Sequence, residues 1–126
     1  EYACRAGTTT AYSWGNAIGP NDANWNHGND ANTTMEVGQF SANPWGFYDM
    51  HGNVWEWTED CWHKSYDGAP EDGSTWVAGG RCTQRVLRGG SWISLARFVR
   101  SGNRSKMNSD IRIYRNGFRV ARDLKR

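Results

Sequence analysis

The stretch Gly46–Asp60, GFYDMHGNVWEWTED, decides how the chain is read. It puts the aromatics Phe47, Tyr48, Trp55 and Trp57, the turn formers Gly46, Gly52 and Asn53, and the acids Asp49, Glu56, Glu59 and Asp60 side by side. Val54-Trp55-Glu56-Trp57 alternates, which predicts a short strand with Val54 and Glu56 on one face and two tryptophans on the other. His51-Gly52-Asn53 predicts a tight turn before it, because Gly and Asn tolerate positive φ. A turn feeding a strand, with Asp49 and Glu56 on either side, fits two arrangements. One is a hairpin with acidic, solvent-facing ends. The other is a cage for a hard cation, since carboxylates and freed backbone carbonyls are the ligands Ca²⁺ prefers.

Outward from this centre, the 126 residues suffice for one modest domain. Hydrophobic content is 37%, low for a globular chain, so the eight tryptophans are expected to carry much of the burial. No run approaches the roughly twenty apolar residues that span a bilayer, so no membrane segment is expected. The chain opens on Glu1-Tyr2-Ala3-Cys4 without an initiator Met and reads as a fragment.

Residues 1–80 hold eleven acidic and two basic residues (−9), whereas 81–126 hold thirteen basic and two acidic ones (+11). The arginines are spread through a patterned segment. The two halves are therefore expected to fold against each other, and nucleic-acid binding is disfavoured. Of the three cysteines, Cys61 and Cys82 flank a polar segment and can close it as a disulfide. The alternative, zinc held by Cys61, His63 and Cys82, has no CxxC spacing and no evident fourth ligand.

Residues 1–7 read as the last turn of a helix stopped by Gly7, which would place part of the domain upstream. Thr8–Trp14 has strand-like residues before a turn at Gly15-Asn16. Residues 19–44 are dominated by Asn, Asp and Gly and predict a long loop, ordered or not; Asn24 and the pair Asn29–Asp30 are candidate Ca²⁺ ligands there. Residues 63–81 predict a second loop. Arg85–Arg88 predicts a short strand ended by Gly89-Gly90, which matches no nucleotide motif and reads as a bulge or close backbone contact. Residues 92–116 have no clean period, and 117–122 alternate as a terminal strand. Short strands, long polar loops and few helices make an α+β domain with extensive irregular structure.

Five motifs in this order, EYACRAGT, YSWGN, GFYDMHGNVWEWTEDCW, RVLRGGSW and GFRVAR, resemble the C-terminal half of the formylglycine-generating (sulfatase-modifying factor) family. The resemblance runs from about residue 1 to 122. It implies a C-type-lectin-like fold of the formylglycine-generating-enzyme subtype: a small antiparallel sheet with long irregular loops. The family's catalytic members hold copper on two cysteines just after the GGS motif, and the resemblance puts Ser94 and Val99 there. Neither offers the soft thiolate that Cu(I) requires, so no copper and no formylglycine-generating activity are expected. A sulfoxide-synthase-like iron site, the other enzymatic reading, finds no ligand pair among His27, His51 and His63. The family's calcium ligands carry over as Asp49, Gly52, Val54 and Glu56.

Between GGSW and GFRVAR the framework Ala96-Arg97, Val99-Arg100-Ser101 and Asn103-Arg104 is interleaved with Ile93, Ser94, Leu95, Phe98, Ser105, Ile111, Ile113, Tyr114 and Arg115. This interleaving resembles the variable proteins of diversity-generating retroelements. It implies a non-enzymatic module that displays a diversified surface at about 92–116 to a protein or other macromolecular ligand, in a surface-exposed or virion-associated setting. Aromatic and aliphatic area beside Arg is hot-spot chemistry. The alternative for Ile93, Leu95, Phe98 and Ile111 is that they pack inward.

Overall fold

The computed structural model describes residues 1–28 and 33–122. Its regular elements are few: α1 (Tyr2–Arg5), β1 (Trp55–Trp62), β2 (Arg81–Arg88), a 3-10 turn (Ala96–Phe98), β3 (Ser105–Asn108) and β4 (Asn116–Gly117). They form one four-stranded sheet in the order β3-β2-β1-β4. β1 begins at Trp55, one residue into the alternating run Val54–Trp57, and runs on to Trp62 against β2, with Glu56 opposite Arg88 and Trp57 opposite Leu87. The register slips between Trp57 and Cys61, so β1 is bulged. β3 pairs antiparallel with β2, Leu87 lying opposite Ser105.

Three strand expectations are corrected. The sheet is mixed, because β4 runs parallel to β1, with Trp55 opposite Asn116. The terminal strand is also only two residues long; beyond it Arg119 turns towards Glu56, and Phe118 and Val120 stand exposed. Thr8–Trp14 is no strand either. Thr10 and Asn16 side chains bond Tyr12 O and Ala11 N, and only an isolated bridge joins Tyr12 to Gly15. Side chains that compete for backbone groups in this way favour turns.

The helix ends one residue earlier than expected: Ala6 itself is left-handed (φ 48°), followed by Gly7 at 87°. The Asn43 amide donates to Ala3 O (2.7 Å) and Cys4 O (3.3 Å), satisfying carbonyls that so short a helix cannot. Of the eight tryptophans only Trp92 is buried among the described residues. The apolar core is small, built on Val86, Leu87, Val99 and Cys61, and it is laced with buried polar groups.

Those polar groups organise the loops. Asn53 Oδ1 accepts from Asn24 Nδ2 (3.0 Å) and Met35 N (2.9 Å), and Asn53 Nδ2 donates to Met35 O (3.2 Å). Asn24 Nδ2 also donates to Thr33 O (3.0 Å). Asn24 and Asn53 together therefore pin Thr33 and Met35 to the central turn by hydrogen bonds, with the Asn24 amide nitrogen used up as a donor. Asn29 and Asp30 lie outside the described residues. His51 is buried beside Cys4: its Nδ1 is 2.7 Å from Val99 O, and its Nε2 accepts from Ser13 N (3.3 Å). Burial holds the His51 ring below the usual imidazole range and pushes the Cys4 thiol up. Cys61 and Cys82 are joined as a disulfide. That removes the zinc alternative, and no cluster of three or more His, Cys, Asp or Glu suited to a metal exists among the described residues.

Candidate functional site

Gly89 and Gly90 end β2 at φ 89° and 75°. A Cβ on Gly90 would stand 2.5 Å from Val99 Cγ1 and 3.0 Å from Phe98 O. The close backbone contact expected of this pair therefore anchors the next segment. Its buried positions are Trp92, Ser94, Val99 and Ser101, and between them Ile93 (42%), Leu95 (44%) and Phe98 (38%) are exposed. These three side chains do not pack inward.

Further on, Ile111 and Tyr114 are exposed as well, while Ser105, Ile113 and Arg115 are half-buried. The Tyr114 ring lies 6.0 Å from that of Trp92, which links the two exposed groups. Arg97 covers the Phe98 ring at 4.6 Å. Neither the buried Trp92 beneath Tyr114 nor the exposed Arg97 was among the expected site residues. The GGSW motif hinted at the first, and no spacing signal could have found the second.

Ser94 departs from the expectation. It is 7% exposed, its Oγ accepts from Ser91 N (3.0 Å), and its own N–H donates to Ser91 O (2.9 Å). Its carbonyl accepts from Asn26 N (3.0 Å). Ser94 therefore closes a turn and displays nothing. With Val99 fully buried, the two positions that the resemblance equates with the copper ligands carry a satisfied hydroxyl and an isopropyl group.

The acidic turn forms a second candidate site. Asp49, Gly52, Val54 and Glu56 line one pocket together with Arg119. Asp49 takes φ 54° and accepts Gly38 N at Oδ2 (2.7 Å). Glu56 receives Arg119 through both oxygens, at 2.7 and 2.5 Å, and the same guanidinium donates to the carbonyls of Tyr48 and Asp49 at 3.1 Å. The hydrogen bond to Glu56 raises the arginine pKa further. Carboxylate and carbonyl oxygens thus converge on one cationic group, and the donor set is all oxygen, as a hard cation needs. These residues fit calcium in chemistry, provided that Glu56 shares its carboxylate between the ion and Arg119.

The model of the sulfatase-modifying factor enzyme 1-like domain matches residues 1–124, and the chain belongs to that family. The formylglycine-generating enzyme of Mus musculus is 31% identical over 139 residues, covering 98% of this chain and 37% of its own. A Bos taurus relative named inactive C-alpha-formylglycine-generating enzyme 2 is 35% identical over 107 residues, 76% of this chain and 31% of its own.

Among solved structures, PvdO from Pseudomonas aeruginosa superposes with a TM-score of 0.83 at 40% identity, over 93% of this chain and 47% of its own. Treponema denticola variable protein 1 superposes with a TM-score of 0.81 at 33% identity, over 93% and 42%. The chain spans less than half the length of each of these four proteins. The small mixed sheet with few helices is the formylglycine-generating-enzyme form of the C-type-lectin-like fold, and the resemblance to a variable protein holds in structure as well as in motif. The family has members named as enzymes and members named inactive.

Proposed function

We propose that this chain is a non-catalytic ligand-binding module whose contact surface is the segment 93–115. The observation that carries this reading is the exposure of Ile93, Leu95, Phe98, Ile111 and Tyr114 on a backbone held by the buried Trp92, Ser94, Val99 and Ser101. Large apolar side chains presented from a fixed framework lose little entropy on binding. The similarity to a Treponema denticola variable protein supports the same reading. Neither Ser94 nor Val99 can hold copper, which favours binding over oxidation, and a protein is the ligand class that aromatic and aliphatic hot spots suit best.

The test is alanine substitution against a protein ligand recovered from a displayed domain library. Phe98→Ala and Tyr114→Ala each weaken binding about tenfold or more, and Arg115→Ala less, whereas Arg122→Ala leaves it unchanged. Undiminished binding in all three of the first variants would sink the assignment. So would turnover of a CxPxR peptide by copper-loaded protein, which would revive the enzymatic reading.

Calcium serves this module as a structural ion in the same proposal. Asp49 and Glu56 would hold it through carboxylates, and Gly52 and Val54 through backbone carbonyls. At about a hundred times its Kd, an ion bound only to the folded chain stabilises it by about 2.7 kcal/mol. The melting temperature of the wild type is therefore expected to rise on adding Ca²⁺ after chelator treatment, and that of Glu56→Gln to rise much less. Comparing each protein with and without Ca²⁺ removes the separate cost of losing the Arg119 pair. An equal response in both, or none in the wild type, refutes the site.

A further inference from the structure

On the far side of the sheet from β4, the edge strand β3 meets an aromatic ladder that neither candidate site uses. The Arg104 guanidinium lies 4.8 Å from the Trp62 ring centre and 4.1 Å from that of Tyr66. Tyr66 stacks towards Trp76 (6.5 Å), and Trp76 stacks flat on His63 (3.6 Å). Lys106, in β3 two residues beyond Arg104, holds its ammonium 5.1 Å over the same Trp62 ring.

Trp62 and Lys106 also line an open pocket with Lys64 and Arg81. None of Lys64, Arg81, Arg104 and Lys106 forms an ion pair among the described residues, whereas neighbouring Arg88 is paired with Glu1 at 3.4 Å. The acid lining the pocket, Asp67, has its Oδ2 engaged by the Ser65 hydroxyl. Three cations thus share the pocket with one acid, and Arg104 lies beside them over Trp62 and Tyr66.

We propose that this face is a second binding site, specific for a carboxylate-rich protein segment. A guanidinium set between two rings has lost its rotamer freedom in advance, and its planar fork matches a carboxylate in two parallel hydrogen bonds. Lys106, Lys64 and Arg81 add point charges for further carboxylates along an extended chain. The ring faces decide against nucleic acid. Single strands bind by stacking bases on open aromatic faces, but here Arg104 and Lys106 cover Trp62, Arg104 and Trp76 flank Tyr66, and His63 covers Trp76. Tyr66 is the one exposed ring of the four, and Arg104 sits over it, so charge outweighs stacking area on this face.

The experiment uses a fluorescent peptide of alternating Glu and Asp, with oligo-dT of equal charge as the competing probe, at low and moderate salt. The peptide is expected to bind the wild type. Arg104→Ala should weaken it by about tenfold, Arg104→Lys should recover only part of that loss, and Lys106→Ala should weaken it less. Arg122→Ala, an exposed cation elsewhere, should change nothing, and neither should Phe98→Ala, so that failure here and failure of the displayed-segment reading are separable. Circular dichroism checks that each variant is folded, and Lys106→Ala keeps the test intact if Arg104→Ala is not. Equal losses in Arg104→Ala and Arg122→Ala overturn the proposal, as does an absence of peptide binding at low salt. Tighter binding of oligo-dT that depends on Arg104 assigns the face to nucleic acid instead.

Discussion

Gly52→Ala unfolds the domain under conditions in which the wild type is folded. Gly52 adopts φ 80°, and a Cβ there would lie 2.2 Å from Asn24 O and 3.0 Å from Asn24 C. Both are backbone atoms, and Asn24 O cannot withdraw without breaking its bond from Asn53 N (2.8 Å). Gly52 is held from the other side, since its N–H donates to Gly89 O at 2.7 Å. The left-handed conformation alone costs an L-residue about 1–2 kcal/mol, and overpacking adds about 1–3 more. A combined loss of about 4 kcal/mol is most of what a small domain has.

Gly68→Ala provides the contrast, because Gly68 has nearly the same φ, 78°, with nothing within 4 Å of the added methyl. It should cost only about 1–2 kcal/mol. Urea titrations followed by circular dichroism measure both variants. Equal midpoints would mean that the Asn24–Gly52 approach relaxes freely, and the central turn would lose its role as organiser.

The second large effect is expected at the disulfide. Cys61 and Cys82 are 21 residues apart, and closing a loop of that size removes about 3 kcal/mol of chain entropy from the unfolded state. Cys82→Ser, or the wild type in reductant, should therefore melt about 10 °C lower. The loop so closed carries Tyr66 and Trp76, and Trp76 is fixed by its own N–H to Asp60 Oδ1 (2.8 Å) and by Cys61 N to its carbonyl (3.1 Å). Cys82→Ser should also weaken acidic-peptide binding through Arg104. A melting temperature insensitive to reductant would show that other contacts already fix this loop.

Much of the centre was legible because its signals are local. The alternation at Val54–Trp57 and the turn residues before it act within one or two neighbours, and β1 starts at Trp55, inside that run. Gly89-Gly90 was legible for the same reason. The ordering of residues 33–44 was not, since it depends on amides such as Asn24 and Asn53, 29 residues apart, finding each other. Composition registers those asparagines only as loop formers. Ser94 was misread because a small polar side chain between apolar ones suggests a surface, yet a hydroxyl satisfied by Ser91 is at no disadvantage when buried. Arg119 belonged to a clean alternating run, and nothing local revealed that its partner is Glu56, 63 residues earlier. The direction of β4 is of the same kind: two residues cannot encode parallel pairing, which follows from the path of the chain around them.

The interleaving of buried and exposed positions from Trp92 to Ser101 has a consequence for how such a chain can change over generations. If the proposed binding role holds, replacing the exposed Ile93, Leu95 or Phe98 would change specificity at less cost to the fold than replacing the buried Ser94 or Val99. Innovation and heritable robustness are thereby assigned to alternate neighbours along one short piece of backbone. On that reading, a lineage carrying it would explore new recognition step by step without passing through misfolded ancestors.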